Sequence, residues 1–106
     1  MSGTRVSVII PTRNGAATLP ALLGALGNAR ARHALEIVAI DSGSTDGTVG
    51  LLAGAGARVL DLGGEPFAHA SARNRAAAHA AGDVLLFLTQ DVEPVGELWL
   101  EPLLAA

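Results

Sequence analysis

"RVSVIIPTRNGAATLPALLGAL", residues 5–26, carries two periodicities in succession. Residues 5–10 are β-branched and nearly continuous in apolar character, the pattern of a strand covered on both faces. Pro11 is expected to end that strand, and "TRNG" supplies a loop. Thr18 suits an N-cap, with Pro20 tolerated in the first turn. Leu19, Leu22, Leu23 and Leu26 then fall at i, i+3, i+4 and i+7, one stripe of an amphipathic helix.

Strand, loop and helix recur along the chain. "LEIVAI" (35–40) reads as a second buried strand that runs into Asp41. "SGSTDGT" is a turn cluster, and a short helix is expected from near Thr48 through Leu51 and Leu52. "ARVLDL" (57–62) gives a third strand. An alanine-rich helix is expected over 68–81, closed by Gly82. "DVLLFL" (83–88) gives a fourth buried strand, and the tail is expected to be helical, packing Leu98, Trp99 and Leu103. Alternation of this kind predicts right-handed crossovers and an α/β fold, a mainly parallel sheet with flanking helices, over one domain spanning 1–106.

Composition narrows the function. The chain has 106 residues, half of them hydrophobic and 16% charged, so a disordered polyelectrolyte is excluded. A net charge of -3 argues against a nucleic-acid binder. There are no cysteines, which removes disulfides and zinc-thiolate sites, and all 7 basic residues are Arg. Without lysine a P-loop is impossible, and no G-x-G-x-x-G follows the first strand. No signal peptide or membrane-spanning run is visible, so a cytoplasmic protein is expected.

In open parallel sheets ligands bind at the carboxyl ends of the strands. That rule selects Pro11 to Asn14, Asp41 to Ser44, Phe67 to Asn74, and Thr89 to Asp91. Every strand but the third is expected to end in polar residues facing one cleft. Asp41 follows a buried strand; it can accept from a base imide or ribose hydroxyl, or act as an Asx-turn acceptor for "SGS", and both readings stand. Asp46, Gly47 and Thr48 read as turn and cap chemistry. His69 and Arg73 share one helix face at i and i+4, and the Arg73 fork suits a phosphate or a base carbonyl. His33 and His79 read as structural, and Glu93 as an exposed loop acid. Asp91 closes the fourth strand's polar end. One carboxylate there suffices for Mg²⁺ or Mn²⁺ when a diphosphate supplies further oxygens.

Three ordered blocks resemble family 2 glycosyltransferases of the GT-A type: "VSVIIPTRNGAATLPALLGAL", "EIVAIDSGSTDGT" and "FAHASARNRAAAHAAGDVLLFLTQDVEP". The third is similar to the subgroup known as rhamnosyltransferases. The resemblance implies a Rossmann-like, nucleotide-sugar-binding half of such an enzyme, with the acceptor half absent. It implies that Pro11, Thr12 and Asn14 border the nucleoside, that Asp41 contacts the base, and that Arg73 approaches the base or diphosphate. Ser42, Gln90 and Asp91 complete the implied donor site, and Asp91 stands where the last acid of the Asp-x-Asp metal motif stands. The first acid of that motif is Thr89 here, which leaves one carboxylate.

The implied partners are a UDP- or dTDP-type sugar donor, rhamnose being one candidate sugar, and a hydroxyl acceptor on a glycan or lipid-linked glycan. Surface polysaccharide synthesis peripheral to the inner membrane face is the implied setting, with inversion at the anomeric carbon. No residue presents itself as the general base. Two other readings remain: a non-catalytic nucleotide-binding remnant, and an interaction module forming homo-oligomers through an exposed sheet edge.

Overall fold

The computed structural model describes residues 5–61, 75, 77–91, 94 and 99–100. Its elements are β1 (Arg5–Thr12), α1 (Leu19–Arg30), β2 (Ala34–Asp41), α2 (Thr48–Gly54), β3 (Arg58–Asp61) and β4 (Val84–Phe87). The four strands form one sheet in the order β3-β2-β1-β4, and every pairing is parallel. This is the expected α/β architecture. Most of the expected tail helix, Leu98 and Leu103 included, lies outside the described residues, and Trp99 and Leu100 form a turn. Of the expected alanine-rich helix residues 75 and 77–79 are helical, residues 80–81 are not, and the rest lies outside the described residues.

Alternation along β1 divides the core between two faces. Val6, Val8 and Ile10 join Leu19, Leu22, Leu26, Ile37, Ala39 and Leu52 on one face. Ile9, Val38 and Ile40 bury the other against Leu60 and Ala80. The leucine stripe of α1 therefore covers the first face as its spacing predicts. Trp99 packs on the same cluster, and its indole N–H donates to the Ala25 carbonyl at 3.3 Å.

Three local expectations are corrected. Pro11 does not end β1: the strand continues to Thr12, with Pro11 in register with Ile40. The Ile9 carbonyl accepts from Leu88 N–H on the β4 side, and peptide groups two residues apart face the same way. Pro11 thus turns its missing N–H toward β4 beyond the last paired residue, Phe87, where no ladder bond is lost. Thr18 makes no side-chain cap; its hydroxyl donates to the Gln90 carbonyl at 3.0 Å. β4 is an edge strand among the described residues, and Val84, Leu85 and Phe87 are 37%, 43% and 48% exposed, so it is not the buried strand its composition predicts.

The amino ends of the strands are tied by a buried serine. Ser7 Oγ donates to Glu36 Oε2 and accepts from Gly82 N–H at 2.8 Å. The same Glu36 oxygen accepts from Ala81 N–H. The Ser7 hydroxyl is the main cause of a Glu36 pKa below the ordinary carboxylate range; burial opposes it, and the Ala81 amide adds to it. Gly82 passes so close to β1 that no Cβ would fit: it would meet Ser7 Oγ at 2.6 Å, Ser7 N at 2.7 Å and Arg5 O at 2.8 Å.

Candidate functional site at the carboxyl edge of the sheet

Parallel register brings Thr12, Asp41 and Asp61 side by side at the carboxyl end of β1, β2 and β3. Asp61 corrects the expectation that the third strand lacks a polar end. Asp41 is 3% exposed. Its Oδ1 accepts from the Thr12 hydroxyl at 2.8 Å and from the Ser44 hydroxyl, and its Oδ2 accepts from Ser44 N–H at 2.9 Å. A carboxylate offers about four lone-pair sites, so these three donors fill Oδ1 and leave room only on Oδ2. Burial pushes the Asp41 pKa up, but the Ser44 and Thr12 hydrogen bonds outweigh it and hold the group below the ordinary carboxylate range. The Asx-turn role is therefore realised here. A ligand reaching Asp41 must share an oxygen with Ser44 or Thr12, or displace one of them.

The loop after β1 is welded to the loop after β2. Asn14 sits at φ 47, the left-handed region that Asn tolerates better than most residues. Its N–H donates to Ser44 Oγ at 2.9 Å, and its Oδ1 accepts from Thr45 N–H at 2.8 Å. Gly15 N–H donates to Thr48 Oγ1 at 2.9 Å, and Ala16 N–H to Asp46 Oδ2 at 3.1 Å. Asp46 also accepts from Thr48 N–H and the Thr48 hydroxyl, which is the expected cap chemistry delivered from one position earlier. The Thr48 hydroxyl is the first cause of an Asp46 pKa below the ordinary range, burial opposes it, and the Ala16 amide contributes on the same side.

The loop after β4 is tied to the first loop by one side chain. Gln90 Oε1 accepts from Arg13 N–H at 2.8 Å, and Gln90 Nε2 donates to the Arg13 carbonyl at 3.0 Å. The primary amide thus pairs with the Arg13 peptide as another strand would. Asp91, exposed, is the next residue in that turn.

Of the residues singled out in the sequence, Pro11, Thr12, Asn14, Asp41, Ser42, Gln90 and Asp91 share the carboxyl edge of the sheet. Ser42 is buried there, its N–H extending the ladder to the Thr12 carbonyl at 3.0 Å. Arg73, His69, Phe67 and Glu93 lie outside the described residues. Residues outside the stretches selected for a ligand role also build the edge: Gly15, Asp46, Thr48 and Asp61. Spacing within a loop does not show which loops touch, although the hydroxyl density of "SGSTDGT" was a usable signal.

Among the described residues no three His, Cys, Asp or Glu side chains cluster as a self-sufficient metal site. One exposed carboxylate, Asp91, suits a hard cation only where phosphate oxygens complete the shell. That donor set fits Mg²⁺ or Mn²⁺ arriving with a diphosphate. No helix among the described residues is long and apolar enough to cross a membrane.

A parallel Rossmann-like sheet, with its polar loops gathered at one edge, defines an α/β unit of the class that binds ligands at the carboxyl ends of its strands. The chain belongs to the glycosyl transferase family 2, whose model matches residues 7–106. It resembles Staphylococcus aureus TarS 1-349 in complex with UDP-GlcNAc, with a TM-score of 0.77 and 26% identity over 95% of this chain and 30% of that one. It also resembles Mycobacterium tuberculosis glucosyl-3-phosphoglycerate synthase solved with Mn²⁺, UDP and glucosyl-3-phosphoglycerate, at TM-score 0.71, 28% identity, 98% of this chain and 41% of that one. Mannosyl-3-phosphoglycerate synthase from Rubrobacter xylanophilus aligns at TM-score 0.74 and 28% identity, over 91% of this chain and 33% of that one. The uncharacterized protein y4gI of Sinorhizobium fredii is 30% identical over 111 residues, 99% of this chain and 12% of the relative. The chain thus spans between 12% and 41% of the length of these four proteins, and its fold is the GT-A Rossmann-like portion of the three solved structures.

Proposed function

We propose that this chain is the donor-binding part of a glycosyltransferase that moves a sugar from a nucleotide diphosphate to a hydroxyl acceptor. The observation that carries it is the Gln90–Arg13 pairing, which draws the turn bearing Asp91 onto the loop after β1. A single edge then offers Thr12 at the end of β1, loop residues 13–14, the Asp41 to Ser44 turn and a carboxylate suited to a phosphate-bridged cation. UDP is favoured as the nucleotide because TarS and glucosyl-3-phosphoglycerate synthase were solved with UDP or a UDP-sugar. dTDP and a rhamnosyl donor follow from the third sequence block and stand as the alternative donor.

Thr12, Asn14, Asp41 and Ser42 would border the nucleoside, and Arg73 would approach the diphosphate. Asp91 would hold the divalent cation. Bound there, the cation would supply charge neutralisation at the departing diphosphate. Inversion at the anomeric carbon, a glycan or lipid-linked acceptor, and work at the inner membrane face belong to the same proposal by family likeness.

Titration calorimetry of the chain with UDP and with dTDP, each with and without Mn²⁺, tests the reading. Weak binding of at least one nucleotide is expected. No heat from either, on protein shown to be folded, overturns it.

A second reading is favoured by the apolar exposure of β4. Two copies pairing along that edge would cover Val84, Leu85 and Phe87. Sedimentation equilibrium decides it: a concentration-dependent dimer supports this reading, and a strict monomer rejects it.

A further inference from the structure

Resting on the donor-site reading, we propose that Gln90 is a positioning residue: its amide pairs with the Arg13 peptide and thereby holds Asp91 where a nucleotide-bound cation can reach it, without itself touching the nucleotide. The sequence resemblance places Gln90 among the donor-binding residues. The geometry assigns its side chain elsewhere, since the carbonyl and amino ends of the amide are both engaged by Arg13, at 2.8 and 3.0 Å. The main-chain carbonyl of Gln90 is held as well, by the Thr18 hydroxyl at 3.0 Å. The residue beside Asp91 is thus fastened at both side chain and backbone.

Two further observations agree with this assignment. Thr89 stands where the family motif has its first acid, so one carboxylate must serve, and a single ligand depends more on being held in place than a pair does. Gly15 shows that the amide is packed and not merely near: a Cβ at residue 15 would lie 2.5 Å from Gln90 Oε1 and 2.7 Å from Gln90 Cδ. The clash falls on the movable end of a side chain. Gly15→Ala should therefore expel the amide from its seat and spare the rest of the fold.

The test compares UDP binding with and without Mn²⁺ in the unaltered chain, Gln90→Ala, Gln90→Glu, Gly15→Ala and Asp91→Asn. Circular dichroism melting establishes that each variant folds. Hydrogen exchange at the Arg13 amide reports the pairing directly. In Gln90→Ala and Gly15→Ala, Arg13 should lose protection, and the Mn²⁺-dependent gain in UDP affinity should fall to that of Asp91→Asn. The drop should be at least about fivefold, the worth of roughly one hydrogen bond. Metal-free UDP affinity should change less than the gain does. Gln90→Glu keeps the acceptor for Arg13 N–H but loses the donor, so it should recover part of the gain. Adding Gln90→Ala to Asp91→Asn should cost nothing further, because both remove one function.

Gln90→Ala that weakens metal-free UDP binding and keeps the Mn²⁺ gain overturns the proposal, as that pattern means contact with the nucleotide. Gln90→Ala that leaves the gain intact overturns it too. If UDP binds but Mn²⁺ adds nothing in the unaltered chain, this proposal fails while the donor site stands. If UDP does not bind under either condition, both fail.

Discussion

Thr12 Oγ1 donates to Asp41 Oδ1 at 2.8 Å, linking β1 to β2 at their last paired residues, 29 positions apart in the chain. The bond is buried and one partner is charged, so its removal leaves an acceptor that water cannot easily reach. Thr12→Val keeps the shape and removes the donor. It should destabilise the chain by about 1–3 kcal/mol, with Thr12→Ser recovering most of it. Urea unfolding measures both, and NMR titration of Asp41 should show its pKa rising in Thr12→Val.

Asn14 separates backbone conformation from side-chain bonding. Asn14→Gly keeps the φ 47 backbone without strain but loses the bond to Thr45, while Asn14→Ala loses the bond and adds strain. Alanine should therefore cost about 1 kcal/mol more than glycine, read from the difference in urea midpoints.

Gly82→Ala should be among the more damaging small substitutions. Its Cβ would meet backbone atoms at 2.7 and 2.8 Å, and backbone in a sheet cannot step aside as a side chain can. A loss of about 1–3 kcal/mol is expected in the unfolding free energy, from overpacking.

Acid should weaken the fold in a defined window. Asp41 and Glu36 both have folded-state pKa values below their ordinary range, Asp41 through Ser44 and Thr12 against the pull of burial, and Glu36 chiefly through Ser7. The unfolded chain therefore binds protons first. Their contribution is whole above the ordinary carboxylate values, near about pH 4, and is lost as pH falls through them toward the depressed folded values. Urea midpoints across that range should decline on the acid side. Asp41→Asn should flatten the decline, and an undiminished slope in that variant would assign it to other groups.

The strands and the first two helices were legible because their signals are local. "RVSVII" and "LEIVAI" appear as β1 and β2, each extended by the structure, and the leucines of α1 face the core at the spacing that predicts it. β4 is more exposed than its composition predicts, because composition records how apolar a strand is, not whether both of its edges are paired. Thr18 makes no cap because its backbone is helical and its hydroxyl is turned to donate to the Gln90 carbonyl, 72 residues away.

The order of letters was enough for an α/β chain with polar strand ends, since period-two and helical repeats act over a few residues and need no distant partner. Folding alone chose the sheet order β3-β2-β1-β4, seated Gln90 on Arg13, and spent the Asp41 carboxylate on Thr12 and Ser44. Those contacts join residues 29 to 77 positions apart, or depend on a loop held by such contacts. Parallel crossovers bring strand ends together irrespective of their distance along the chain, so which polar groups meet at the edge is a property of the packed sheet.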